Sequence, residues 1–95
     1  MNAIRVVIAD DHAVVRRGLA MVLEVEPGID VVGEASDGEQ VLQLARELQP
    51  DLVLLDMVMP NCSGTEAARL IKARHSGMRV LMLSGVEIDA EVFDT

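Results

Sequence analysis

Four short apolar runs punctuate this chain: Ile4 to Ala9 (IRVVIA), Val31 to Ala35 (VVGEA), Leu52 to Leu55 (LVLL) and Arg79 to Leu83 (RVLML). None alternates cleanly between apolar and polar residues, so each reads as a strand buried on both faces. The segments between them have helical periodicity. From His12 to about Glu24, Val15, Leu19, Val22 and Leu23 recur at helical spacing, with Arg16, Arg17 and Glu24 on other faces, until Pro27 and Gly28 break the pattern. Ser36 and Glu39 have capping-box spacing, which predicts a helix that buries Val41, Leu44, Ala45 and Leu48 and ends at Pro50. Another helix is predicted from about Thr65 to His75, after the turn-rich Asn61 to Gly64, with Ala67, Leu70 and Ile71 inward. Asp89 to Thr95 has helix-compatible composition over about two turns.

Strands that alternate with helices in this way predict βαβ units, hence an α/β fold: a doubly wound parallel sheet with right-handed crossovers and helices on both faces. A chain of 95 residues leaves room for one such domain. Ligands of open parallel sheets bind beyond the carboxyl ends of the strands, where strand order reverses. Those ends are where this sequence concentrates its chemistry: Asp10 and Asp11 follow the first run, Asp56 the third and Ser84 the fourth.

Taken singly, an aspartate at a strand end is more often a turn former or helix cap. The conjunction of a doublet, a third carboxylate and a hydroxyl on strand ends favours a functional reading. Three carboxylates brought together repel one another until a divalent cation screens them, and one can then act as a nucleophile toward a phosphoryl group. Magnesium fits best, because it takes oxygen ligands and is commonly held by one or two carboxylates together with a phosphoryl oxygen. With no cysteine cluster and no neighbouring histidines, zinc is a poor alternative. His12 is read as a polar helix-start residue ahead of a metal ligand, and Cys62, the single cysteine, as a solvent-exposed turn thiol.

Eight basic against sixteen acidic residues give a net charge of -8, which opposes direct binding to nucleic acid or to an anionic membrane surface. With 51% hydrophobic residues and Phe93 as the only aromatic, the core must be built from Val, Leu, Ile, Ala and Met. The longest apolar runs are far too short to span a bilayer, and the N-terminus reads directly into a strand, so the expected location is cytoplasmic.

The motifs Ile8-Ala9-Asp10-Asp11-His12, Val32-Gly33-Glu34-Ala35, Leu54-Leu55-Asp56 with Met59-Pro60, Gly64, and Leu81-Met82-Leu83-Ser84-Gly85 resemble the receiver domain of bacterial two-component response regulators. The resemblance is to the type with a LuxR-like helix-turn-helix output domain, and it runs from about Ile4 to Phe93. It implies a flavodoxin-like sheet of order 2-1-3-4. It further implies that Asp56 accepts a phosphoryl group from a sensor histidine kinase. Asp11 and Asp56 would bind Mg2+ directly, Asp10 largely through water, and the Val58 carbonyl would be the further protein ligand. By the same resemblance the Met57 and Gly85 amides would face phosphoryl oxygens, and Ser84 would be the switch hydroxyl. Receivers of this family continue into a fifth strand ending on a lysine and a fifth helix. The expectation is therefore an incomplete receiver domain over residues 1–95, not an enzyme, with the DNA-binding output domain outside it.

The only lysine, Lys72, lies in the helix after Asp56 and is read as a solvated charge away from the strand ends. Impaired phosphotransfer is expected, as is a homodimer or strand-swapped dimer through the fourth strand. The competing readings are a non-phosphorylated interaction or dimerisation module and a small phosphatase with an aspartyl nucleophile. The latter would need an acid two residues after the nucleophile, where Val58 stands.

Overall fold

The computed structural model describes residues 3–83. The expected roles of Ser84 and Gly85 and the predicted helix at Asp89 to Thr95 lie outside the described residues. Among those described, four strands alternate with three helices: β1 (Ile4–Ala9), α1 (Ala13–Glu24), β2 (Ile29–Ala35), α2 (Gly38–Leu48), β3 (Leu52–Asp56), α3 (Gly64–Arg74) and β4 (Arg79–Leu83). All pairings are parallel and the order is β2-β1-β3-β4, as expected. No helix among them is long and apolar enough to cross a membrane.

Side-chain alternation along the central strands divides the core into two layers. Val7, Ala9, Val53 and Leu55 pack with Val41 and Ala45 of α2 and with Ala67 and Ile71 of α3. Val6, Ile8 and Leu54 point to the other face, where Ala20 of α1 meets them. Both faces are thus covered, which is why these strands carry no polar alternation.

The α1 stripe differs from the periodicity reading. Val15 and Val22 are 49% and 64% exposed. The face turned to the sheet is Arg16, Leu19, Ala20 and Leu23, itself an i, i+3, i+4, i+7 set. Helix α2 is capped one residue later than the capping-box spacing predicts. The Asp37 carboxylate accepts from the Gln40 amide at 2.8 Å, while the Gln40 side chain reaches back to the Ser36 amide at 2.9 Å. Leu70 is half-buried rather than fully inward.

Cys62 also departs from the open turn thiol expected for it. It is half-buried against the amino end of α2, and a Cβ placed on Gly38 would lie 1.9 Å from its carbonyl oxygen. Loss of solvent, then the charges of Glu66 and Glu39, push the Cys62 thiol above its ordinary range, against a smaller opposing effect of Arg69. A raised pKa in the folded chain means less thiolate at a given pH than in the unfolded chain. Alkylation by iodoacetamide at about pH 8 is therefore expected to be slower in the folded protein than in urea, with the gap narrowing as pH rises. Equal rates at that pH would contradict the assignment.

Candidate functional site

The sheet order reverses between β1 and β3: β2 lies on one side of β1, and β3 and β4 lie on the other. The Ala9↔Leu55 register brings the ends of these two strands level, so Asp10 and Asp56 emerge side by side although 46 residues separate them in sequence. Asp10 and Asp56 are only 4% and 6% exposed. Asp11 sits at the mouth, with its side chain 32% exposed.

One ligand atom from each of Asp10, Asp11, His12 and Asp56 falls within 4.8 Å of all the others. The three carboxylates are those singled out in the sequence, and the structure adds the imidazole. His12 occupies the N-cap position of α1, but its side chain makes no cap hydrogen bond. Its backbone amide donates to Asp10 Oδ1 at 2.8 Å, and its Nδ1 faces Asp11 Oδ1 at 3.0 Å and Asp10 Oδ1 at 3.2 Å.

Among the described residues no arginine or lysine forms an ion pair with any of the three carboxylates. Arg16 is close, yet its charge goes elsewhere. Its Nη1 donates to the Asp10 backbone carbonyl at 2.7 Å and its Nε to Glu34 Oε1 at 3.2 Å, while Arg17 also pairs with Glu34. Arg16 therefore fixes the loop after β1 to β2 without neutralising the pocket. Helical spacing alone places Arg16 on a polar face. The signal for its true position was Glu34, which β1–β2 pairing sets beside Ile8, within reach of the first turn of α1.

The loop after β3 is held from several directions. The Met57 amide donates to the Leu83 carbonyl at 3.1 Å and the Val58 amide to Asp56 Oδ1 at 3.2 Å. In this conformation the Met57 N–H is thus engaged with β4, and the Val58 N–H is the one that reaches the carboxylate. The Met57 carbonyl accepts from the Gly64 amide at 3.1 Å, and Ser63 caps α3 by accepting from the Glu66 amide at 3.1 Å. Lys72 Nζ donates to the Met78 carbonyl at 3.0 Å, next to the start of β4 and hence at the opposite end of the sheet from the site.

The donor set suits a hard divalent cation: three carboxylates, two of them nearly buried, with no arginine or lysine among the described residues paired with them. Among known proteins, the family described as the response regulator receiver domain matches residues 6–94. The transcriptional regulatory protein LiaR of Bacillus subtilis (strain 168) is 44% identical over 90 residues, covering 95% of this chain and 43% of LiaR. The chain thus spans less than half the length of that curated relative.

Among solved structures, the receiver domain of the putative response regulator NarL from Mycobacterium tuberculosis superposes with a TM-score of 0.87 at 35% identity, covering 98% of this chain and 75% of that one. The isolated receiver domain of RcsB from Salmonella enterica serovar Typhimurium, solved in the presence of the phosphomimetic BeF3-, gives 0.84 at 25% identity, covering 98% and 69%.

Proposed function

Because the chain belongs to the receiver-domain family of two-component response regulators of the LuxR/NarL type, we propose that Asp56 accepts a phosphoryl group from a sensor histidine kinase. One Asp56 carboxylate oxygen attacks phosphorus, the P–N bond of a phosphohistidine breaks, and the imidazole nitrogen leaves with the bonding pair. The module is regulatory rather than enzymatic, acts in the cytoplasm, and reaches DNA only through an output region of a longer protein. Its net charge of -8 opposes direct attachment to an anionic membrane or to nucleic acid.

One observation carries this reading. Asp10 and Asp56 are nearly buried, yet no basic side chain among the described residues pairs with them apart from the imidazole of His12 at Asp10. A buried carboxylate pair without full compensation is costly unless a cation joins it. Asp11 and Asp56 would hold Mg2+ directly, Asp10 through water and Val58 through its carbonyl, and the bound ion would offset the charge on the phosphoryl oxygens. The Met57 amide can turn to a phosphoryl oxygen only by leaving the Leu83 carbonyl, which would couple the acceptor loop to β4. Ser84, the residue after the Leu83 that pairs with Asp56, is proposed as the switch hydroxyl, and Gly85 as a further amide donor. The BeF3--treated RcsB receiver supports a phosphoryl-type occupant for sites of this kind.

Acetyl phosphate with Mg2+ is expected to add one phosphoryl group to the chain, detected by intact-mass spectrometry, and none to Asp56→Asn. A phosphorylated Asp56→Asn chain would overturn the assignment. A folded wild-type chain that stays unmodified would favour the interaction-module reading.

A further inference from the structure

Helices α2 and α3 lie on one face of the sheet, where Val41, Ala45, Ala67 and Ile71 join a single apolar layer. A cavity of about 300 Å3 runs between them, at the lower end of the usual size for small-molecule sites. Helical spacing builds its walls. Glu39, Leu42 and Arg46 form an i, i+3, i+7 stripe along α2, and Ile71, Arg74 and His75 form an i, i+3, i+4 stripe at the carboxyl end of α3. Ile71 is fully buried and Leu42 half-buried, which makes the floor apolar, whereas Arg46 and Arg74 are exposed at the rim.

The positive charges of this groove are uncommitted. Among the described residues Arg5, Arg16, Arg17, Arg69 and Lys72 each hold a carboxylate or a backbone carbonyl. The side chains of Arg46, Arg74 and Arg79 hold neither, and two of these three converge with His75 on one cavity, in a chain whose net charge is -8. Basic residues in the last turn also complement a helix dipole, a role that needs no cavity. A guanidinium pair above an apolar floor does more. It offers planar, bidentate donors to a carboxylate, while Leu42 and the arginine stems can be covered by an apolar body. Glu39 sets the polarity of the groove, because it stands two turns before Arg46, about 10 Å along the helix axis, and repels a second anionic group.

We propose that the groove between α2 and α3 binds a small organic monoanion, a single carboxylate on an apolar body, with its head at Arg46 and Arg74 and its far end toward Glu39. The carboxyl ends of these helices lead into the starts of β3 and β4, so the head lies at the opposite end of the sheet from Asp10 and Asp56. The inference therefore does not rest on the acidic centre being a cation site.

The test titrates the isotope-labelled 95-residue chain with naphthoate and follows backbone amide and arginine Nε–H signals by NMR. Saturable shifts centred on Leu42, Arg46, Arg74 and His75 are expected, with a dissociation constant of about 1 mM or tighter, the ordinary efficiency of a ligand of that size. Arg46→Gln and Arg74→Gln should each weaken binding roughly fivefold, the upper scale of an exposed ion pair, with the dispersion of the folded spectrum retained. Naphthalene methanol, the same body without the charge, should bind more weakly than naphthoate. The naphthalene dicarboxylate should also bind more weakly, and Glu39→Gln should restore it. Shifts that fail to saturate, a neutral body bound as tightly as naphthoate, or undiminished affinity in the double arginine variant overturns the proposal and leaves these residues a role at the helix ends alone.

Discussion

Replacing Gly64 with alanine is expected to destabilise the domain by about 3 kcal/mol, the upper end of the usual cost of overpacking. A Cβ built on Gly64 would lie 1.9 Å from the Asp56 carbonyl oxygen and 2.8 Å from both the Asp56 carbonyl carbon and the Met57 Cα. All of these are backbone atoms at the end of β3, so no flexible side chain can swing aside. The amino end of α3 would have to retreat from the strand and break the 3.1 Å hydrogen bond from the Gly64 amide to the Met57 carbonyl. Gly18→Ala is the control. It lies within α1, where an added methyl group would meet nothing within 4 Å, and there alanine should stabilise by up to about 1 kcal/mol. Urea unfolding followed by circular dichroism measures both, and a Gly64→Ala chain as stable as the wild type would refute the packing argument.

Leu55→Ala should cost about 2–5 kcal/mol, the range for truncating a fully buried leucine. Leu55 has no exposed surface, pairs with Ala9 on one side and Met82 on the other, and joins the layer beneath α2 and α3. A domain of this size has roughly 5–14 kcal/mol in total at about 0.05–0.15 kcal/mol per residue, so the loss is a large fraction. The residue also precedes Asp56, and loosening its seat should blur the alignment of Asp56 with Asp10. Leu81→Ala, at a position 53% exposed on β4, should change stability far less. Similar losses for the two variants would show that the core is not where the structure places it.

The strands were the most legible part of this molecule, because a strand buried on both faces leaves an uninterrupted apolar run. β1 and β4 begin and end where those runs do, and only the entry to β2 and the end of β3 extend further. Helix α1 was harder to read for a physical reason. Val14, Val15, Met21 and Val22 make it apolar nearly all round, so periodicity could not select the inward face, and Arg16, a charged residue, turned out to belong to it. The cap of α2 moved by one residue because Ser36, Asp37, Glu39 and Gln40 offer two overlapping capping arrangements. In the site, the three carboxylates were readable because strand ends converge by topology. His12 was not, since its approach to two of them depends on how the chain turns from β1 into α1, a dihedral property that residue types do not encode.

Arg16 gives the pocket an unusual division of labour. A guanidinium aimed at the carboxylates would hold them in place and also quench them. Here it grips the Asp10 carbonyl and Glu34 of the neighbouring strand, so the loop is tied to β2 while no guanidinium offsets the negative charge at the strand ends. The acidic cluster stays compatible with a cation because the nearby guanidinium is spent on the scaffold and not on the carboxylates.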